Sequence, residues 1–215
     1  MARSGRKHSL RSGLDAIDKR SYVTKKPVGS DPITRPDFQT AVRQLGIIDA
    51  LAAYDPHIAG TPPLGVDIEG SDIDILCQTR DHEAFLSDML CLYGGISGFR
   101  VWQWISEDRP MVVAFHFSGW DFEIFASPHP VSSQNGWRHF QAEKRLLSLG
   151  GESFKNTIKS LRQQGLKTEP AFWFALKEEG DPYLGLLTLA SATDDELREK
   201  LARVGLDPAA HVSEF

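Results

Sequence analysis

The chain is poor in the features that mark exported or membrane proteins. Its 215 residues include two cysteines, Cys77 and Cys91, which are too few for a disulfide framework or a zinc site. Both lie in apolar runs, which predicts small core residues in a reducing compartment. No run of about 18 apolar residues predicts a transmembrane helix, and no apolar stretch follows the basic N-terminus, as a secretory signal would require. The expectation is a cytoplasmic protein that makes no membrane contact.

Charge is unevenly distributed along the chain. The formal net charge is -5, yet residues 1–30 carry eight basic and two acidic side chains, which makes them +6 and the remainder -11. An acidic body disfavours binding of long nucleic acid through phosphate neutralisation. The basic segment, residues 1–32, is typical of a terminus without fixed structure, and contact with nucleic acid or phosphate is the alternative.

Hydrophobic periodicity predicts an α+β (α/β) fold, with a mixed sheet flanked by helices over residues 33–130 and a helical C-terminal module over 131–215. Helices are predicted over 38–54 and 81–92, and a hairpin turn at Ser118-Gly119. The predicted strands cover 57–60, 72–77, 99–106, 111–117 and 120–126. Later helices are predicted over 137–147, 152–164, 183–190 and 194–204.

The strand over 72–77 carries the first chemical signal. Asp72 and Asp74 alternate with Ile73 and Ile75, so the two carboxylates share one face of the strand and the isoleucines share the other. Like charges side by side repel, and a hard cation such as Mg²⁺, which takes oxygen ligands, would compensate them. The segment is therefore a candidate metal and phosphate site.

Two further segments strengthen this interpretation. The Gly60-Thr61 turn lies eleven residues before Asp72, and we expect Thr61 to be the N-cap of a helix with Pro62 in its first turn, where outward N–H groups favour a phosphate. A later strand carries Asp121 and Glu123, and Glu123 is preferred as the third acid because of its apolar flanks. Carboxylates on neighbouring strands suit a two-metal site for phosphoryl displacement.

These residues resemble a known signature. Gly60-Thr61, Asp72-Ile-Asp74 and Phe122-Glu123-Ile124 are similar to the three-part signature of the polymerase-beta-like nucleotidyltransferase superfamily. Four separated segments also resemble one bacterial family of uncharacterised function assigned to that superfamily. They are residues 60–75, 134–139, 165–172 and 180–183, and the resemblance extends over about residues 36–190.

The resemblance implies a nucleotidyltransferase-like fold, with an NTP bound by its phosphates at Gly60 and Thr61 and two Mg²⁺ ions held by Asp72, Asp74 and Glu123. The same acids would be the catalytic residues. Ser71, Arg138 and His139 complete the candidate nucleotide contacts.

Two other groups of side chains are candidates of lower rank. Asn135, His139 and Glu143 are four residues apart and line one face of a predicted helix, either as phosphate or acceptor contacts or as an ordinary polar face. Trp102 and Trp104 share a strand face and are predicted to be core residues, with base stacking as the alternative.

The leading functional hypothesis is Mg²⁺-dependent transfer of a nucleoside monophosphate from an NTP to an acceptor hydroxyl, with release of pyrophosphate. The acceptor is left open among a small molecule, an RNA and a protein. The alternative is a non-catalytic nucleotide sensor or antitoxin-like binding protein that retains the fold. A third hypothesis is a metal-dependent phosphohydrolase that uses the same acids.

Overall fold

A five-stranded mixed sheet is the centre of the structure, a computed structural model that describes residues 35–106 and 108–205. The predicted tail over residues 1–32 lies outside the described residues. The strands are β1 (His57–Ala59), β2 (Ile73–Gln78), β3 (Arg100–Gln103), β4 (Met111–Phe117) and β5 (Trp120–Ser127). Their order across the sheet is β1-β2-β5-β4-β3, with β2 and β5 parallel and the other pairs antiparallel.

Strand pairing places the two acidic segments next to each other. β2 and β5 are hydrogen-bonded neighbours in which Asp74 lies opposite Glu123, and Ile73 lies opposite Phe122. Because alternate residues point to opposite faces, the acids lie on one face of the sheet and their apolar neighbours on the other. The sequence predicted all five strands, but β3 is shorter than the predicted 99–106.

Eight helices surround the sheet in the described part of the chain. They are α1 (Phe38–Leu45), α2 (Ile47–Ala50), α3 (Thr61–Leu64), α4 (His82–Tyr93), α5 (Asn135–Gln163), α6 (Thr168–Ala175), α7 (Pro182–Leu189) and α8 (Asp194–Arg203). Short 3₁₀ turns follow α2 and precede α5. The predicted mixed sheet with flanking helices and a helical C-terminal region is confirmed.

Glycines interrupt two of the helical segments. The helix expected over 38–54 is interrupted at Gly46, whose φ of 62° ends α1. The two helices expected over 137–147 and 152–164 are both present, and within α5 they are separated by a kink at Gly151, whose backbone (φ 63°, ψ -163°) is not helical. L-residues adopt the left-handed conformation of Gly46 only with strain, and a glycine permits it without requiring it. α6 was not predicted.

Each face of the sheet has its own apolar core. One core contains Ile73, Ile75, Phe122 and Ile124 and packs against α1, α2 and α4. The other contains Leu76 and the inner sides of α5 to α8. The C-terminal helices therefore cover the face that carries the acids. Among the described residues, no helix has the length and apolar character needed to cross a membrane.

Candidate active site

A cavity of about 680 Å³ lies between the acidic face of the sheet and helices α5 and α6. Asp72, Asp74 and Glu123 all line it, at its sheet side. Its size is in the range of small-molecule sites. The structure thus brings the three predicted acids together in one wall.

The competing third acid lies elsewhere. The Asp121 side chain is 72% exposed, does not line the cavity, and contacts Nδ1 of His116 at 3.1 Å. Its charge nevertheless acts on Asp72, which stands beside it one residue before β2 begins. The cavity wall therefore contains Glu123 and not Asp121, while the choice of Glu123 as the third ligand stays a prediction.

Gly60 gives Asp74 its position. The backbone at Gly60 has φ 79° and ψ -167°, a region that is essentially restricted to glycine. A Cβ at this residue would overlap Oδ2 of Asp74. The Asp74 carboxylate therefore packs directly on the bare backbone of the turn, and the glycine has a steric as well as a conformational role.

The electrostatics of this wall favour a cation. Burial raises the pKa of Asp74 well above its usual range, and the charges of Asp72 and Glu123 raise it further. Burial also raises the pKa of Glu123, again assisted by Asp72. The pKa of Asp72 is raised because the cavity walls displace water from one side of an otherwise exposed carboxylate, while a hydrogen bond from its own backbone N–H opposes the shift. Each carboxylate makes its neighbours harder to ionise.

Three oxygen-donor side chains with mutually raised pKa values match the ligands that a hard dication prefers. The chemistry of the donor set therefore suits Mg²⁺. Within residues 35–106 and 108–205, however, no group of three or more His, Cys, Asp or Glu side chains is close enough to form a ready-made metal site. The assignment of Asp72, Asp74 and Glu123 as metal ligands thus stays a prediction.

The turn residues differ in detail from the expectation. Gly60, not Thr61, is the N-cap of α3, and Thr61 is its first helical residue. The Thr61 hydroxyl is buried without a hydrogen-bond partner in the described structure. The Ser71 hydroxyl is buried as well, but it accepts hydrogen bonds from the backbone N–H of Ile68 (2.9 Å) and from Arg162 (3.3 Å). Ser71 therefore shapes the loop before β2, and its role as a nucleotide contact is untested.

One face of α5 lines the cavity. Asn135, His139 and Glu143 all reach it, as their four-residue spacing predicted. Arg138 does not, because its guanidinium donates to the carbonyl of Leu187 (3.1 Å). His139 lies 2.9 Å through Nε2 from the carbonyl of Tyr183, which fixes the orientation of the ring.

Sequence reasoning missed several residues of the wall. Arg162 and Glu169 line the cavity from α5 and α6, and no motif or spacing singled them out. Trp104 was predicted to be buried, but it is 45% exposed and meets the ring of Phe125 edge-on at 5.5 Å. β3 ends at Gln103, and although the N–H of Trp104 still donates to the carbonyl of Pro110 (3.0 Å), its side chain borders the open cavity instead of a filled core.

A family model matches residues 40–189, and its description is a domain of unknown function, DUF4269. The chain belongs to the DUF4269 family. The matched segment contains Gly60, the three acids and the whole of α5, so every residue of the DUF4269 cavity discussed above lies inside it. No curated protein matches the sequence.

Solved structures give distant likenesses to this DUF4269 chain. The GLD-2/RNP-8 complex matches with 11% identity over 65% of this chain and 58% of that chain, at a TM-score of 0.44. Cid1, described with RNA terminal uridylyl transferase activity, matches with 10% identity over 64% and 45%, at 0.47. The polymerase core of the RNA surveillance complex TRAMP matches with 16% identity over 75% and 56%, at 0.39. The chain thus spans roughly half of each solved chain, and TM-scores below 0.5 do not establish a common fold.

Proposed function

We propose that this chain is a Mg²⁺-dependent nucleotidyltransferase of the polymerase-beta-like superfamily. It moves a nucleoside monophosphate from an NTP to an acceptor hydroxyl and releases pyrophosphate. The observation that supports this most strongly is the meeting of Asp72, Asp74 and Glu123 in one wall of a cavity of about 680 Å³. Uncompensated carboxylates in such a wall only lower stability, so a function that uses them accounts for their presence.

Asp72, Asp74 and Glu123 are the proposed ligands of Mg²⁺, which when bound would offset the negative charge that develops on the transferring phosphate. The Asp74 carboxylate packs directly against the Gly60 backbone, which limits the positions that the carboxylate can adopt. A carboxylate held in a fixed position contributes to catalysis in reactions that depend on positioning and charge.

Bond changes in the proposed transfer are simple. The acceptor oxygen forms a bond to the α-phosphorus, the bond from that phosphorus to the bridging oxygen breaks, and pyrophosphate leaves with the electron pair. Glu123 takes the proton of the acceptor hydroxyl on its carboxylate.

Two other features of the cavity suit a nucleotide. The Thr61 hydroxyl is buried and lacks a partner, so it is available to donate to a phosphate oxygen. Trp104 presents a half-exposed ring beside Phe125, and stacking of a base on such a ring is worth about 1–3 kcal/mol. We assign the phosphates to the Gly60-Thr61 end of the cavity and the base to Trp104.

Calorimetric titration with ATP and the other NTPs tests the proposal. The native protein is expected to bind at least one NTP only when Mg²⁺ is present, and the Asp72→Asn/Asp74→Asn double variant is expected to bind it at least about 100-fold more weakly, since two charge-assisted contacts are lost. Asp121→Asn is the control, because it removes an acid of the neighbouring strand β5 that lies outside the cavity, although its charge acts on Asp72. Its affinity should be much closer to that of the native protein than the affinity of the double variant is.

A second measurement follows the transfer itself. Labelled NTP is incubated with the protein and a cell extract, and mass analysis identifies any molecule that gains a nucleotide. Absence of Mg²⁺-dependent NTP binding, or equal binding by the double variant, would contradict the proposal. Binding that depends on Asp72 and Asp74 without any transfer would instead identify a non-catalytic nucleotide sensor.

A further inference from the structure

The helix side of the cavity contains a second group of charged residues that the proposed transfer does not use. Glu143 comes from α5 and Glu169 from α6, and both line the cavity together with Arg162. They belong to helices and not to the sheet wall that contains the three acids. They border the same cavity from its helix side, and the charge of Glu169 acts on Asp74.

Glu143 is the most unusual residue of this group. It is 5% exposed and lines the cavity, yet no hydrogen bond or ion pair to it is found among the described residues. Burial raises its pKa well above the usual range, and the charges of Glu169 and Asp74 raise it further. A buried carboxyl group without a partner is costly to a fold, and a partner supplied by a ligand removes that cost.

The one arginine in this wall is engaged elsewhere. The Nη1 and Nη2 groups of Arg162 donate to the hydroxyls of Thr168 and Ser71, and its Nε–H is buried without a partner. Its charge lowers the pKa of Glu143, but no ion pair between the two is found in the described structure. Arg162 therefore offsets part of the negative charge of this wall without pairing with Glu143.

Glu169 is only partly compensated. Its Oε1 lies 3.7 Å from Nδ1 of His139, and both side chains are largely buried. Nε2, on the opposite side of that ring, lies 2.9 Å from the Tyr183 carbonyl, and the 3.7 Å between Nδ1 and Glu169 is too long for a hydrogen bond. Glu169 therefore accepts no hydrogen bond from His139 and, like Glu143, can accept one from a ligand in the cavity.

A bound nucleotide does not supply the missing positive charge. The charges of two divalent cations and a triphosphate roughly cancel, so the complex brings no net charge to the helix side. A polyanionic acceptor such as RNA would meet Glu143 and Glu169 with like charge. A cation bearing N–H donors would satisfy both carboxylates at once through charge-assisted hydrogen bonds.

We infer that Glu143 and Glu169 form a subsite for the ammonium group of a small hydroxyl compound, which is the acceptor of the nucleotide. The role of this compound as the acceptor rests on the proposed function. The ammonium subsite itself does not depend on it. The inference narrows the acceptor to a small hydroxyl compound that carries an ammonium group, and it excludes RNA.

Binding of a matched pair of sugars tests the subsite without nucleotide or metal. The probes are the chitosan disaccharide, which carries two ammonium groups, and its neutral counterpart N,N′-diacetylchitobiose. Calorimetry is expected to give at least about tenfold tighter binding of the amine. Glu143→Gln keeps the shape of the side chain and should remove that preference, while Glu152→Gln, an exposed position of the same helix, should retain it.

Each result decides the inference. Equal binding of the two sugars, an amine preference that survives Glu143→Gln, or no amine binding at millimolar concentration overturns it. If Glu143→Gln loses helical content in circular dichroism, Glu169→Gln provides the same test from α6. Nucleotide transfer to RNA or to neutral hydroxyls overturns the inference and leaves the proposed function standing. Amine binding that depends on Glu143, in a protein that binds no NTP, supports the ammonium subsite and defeats the transferase.

Discussion

The two faces of the sheet differ more than any other pair of regions in the molecule. On one face Ile73, Ile75, Phe122 and Ile124 are fully buried beneath α1, α2 and α4. On the other face the residues between them, among them Asp74 and Glu123, border a cavity that α5 and α6 leave open. β2 and β5 thus contribute to a filled apolar core on one face, the closed face, and to the charged cavity on the other, the open face. The two sets of side chains are kept apart because alternate residues of a strand point to opposite faces.

This difference shows where the stability and the chemistry of the fold reside. The closed face removes apolar area from water and stabilises the sheet. The open face holds carboxylates whose pKa values are raised by burial and by one another, so it lowers stability unless a cation is present. Substitutions on the closed face should change mainly stability, and those on the open face mainly ligand binding.

The largest expected effect lies on the closed face. Phe122 is 1% exposed and stacks on Phe115 with ring centroids 5.4 Å apart. Phe122→Ala should lower the free energy of unfolding by about 3–5 kcal/mol, because it leaves a cavity in a filled core. Phe125→Ala, three residues later on the open face, should cost about 1–2 kcal/mol, since the Phe125 ring is only half-buried. Urea denaturation measures both, and equal losses would contradict the distinction between the faces.

A smaller loss of stability is expected at Gly60, the glycine against which the Asp74 carboxylate packs. Gly60→Ala should cost about 1–3 kcal/mol from its backbone conformation, and in addition it should displace the Asp74 carboxylate and weaken Mg²⁺-dependent NTP binding. Gly70→Ala is the control, because Gly70 also has a positive φ (84°) but its Cβ would meet open space. Thermal unfolding and calorimetric titration should separate the two, with binding impaired only at position 60.

The third effect appears as a dependence on pH. The folded-state pKa of Glu143 is raised, so its favourable contribution is complete below the unfolded pKa of about 4.5 and is lost as the pH rises toward the folded value. Glu143→Gln should therefore weaken the decline in unfolding free energy above about pH 4.5. Asp74, whose pKa shifts the same way, should keep some of that decline in the variant.

Glu196 provides a control of opposite sign. Its carboxylate accepts hydrogen bonds from the Thr193 backbone N–H and hydroxyl at the start of α8, which lowers its pKa. Its contribution is present above about pH 4.5 and is lost as the pH falls. Glu196→Gln should therefore reduce stability at neutral pH and flatten the acid side of the profile. Parallel shifts in the two variants, measured by urea denaturation between pH 2 and pH 8, would contradict both assignments.

The sequence predicted the features that depend on local pattern. All five strands, the hairpin at residues 118–119 and the acidic face of β2 follow from alternation and turn chemistry. The spacing of His139 and Glu143 correctly placed both on one helix face, and both reach the cavity. The sequence indicates that β2 and β5 can be neighbours in one sheet. It does not indicate their parallel direction or which residues lie opposite each other, because register depends on the whole sheet.

Other features depend on contacts between distant segments. Arg162 reaches Ser71, which is 91 residues away, and no periodicity predicts that contact. Glu169 lies in α6, a helix that begins just after Lys167 and contains Pro170 near its start, where proline is tolerated but obscures the helical pattern. The interruption at Gly46 depends on a left-handed backbone conformation, which a glycine permits but does not require.

The placement of the two thiols has a practical consequence. Burial raises the pKa of Cys77 to about 12, so its thiol resists alkylation. Cys91, in contrast, is exposed on α4, the helix that covers the closed face. A maleimide dye added to the unmodified protein would attach to Cys91 alone, on the side of the sheet remote from the carboxylates. Fluorescence anisotropy of that dye can then report complex formation at the cleft without a reporter group blocking its entrance.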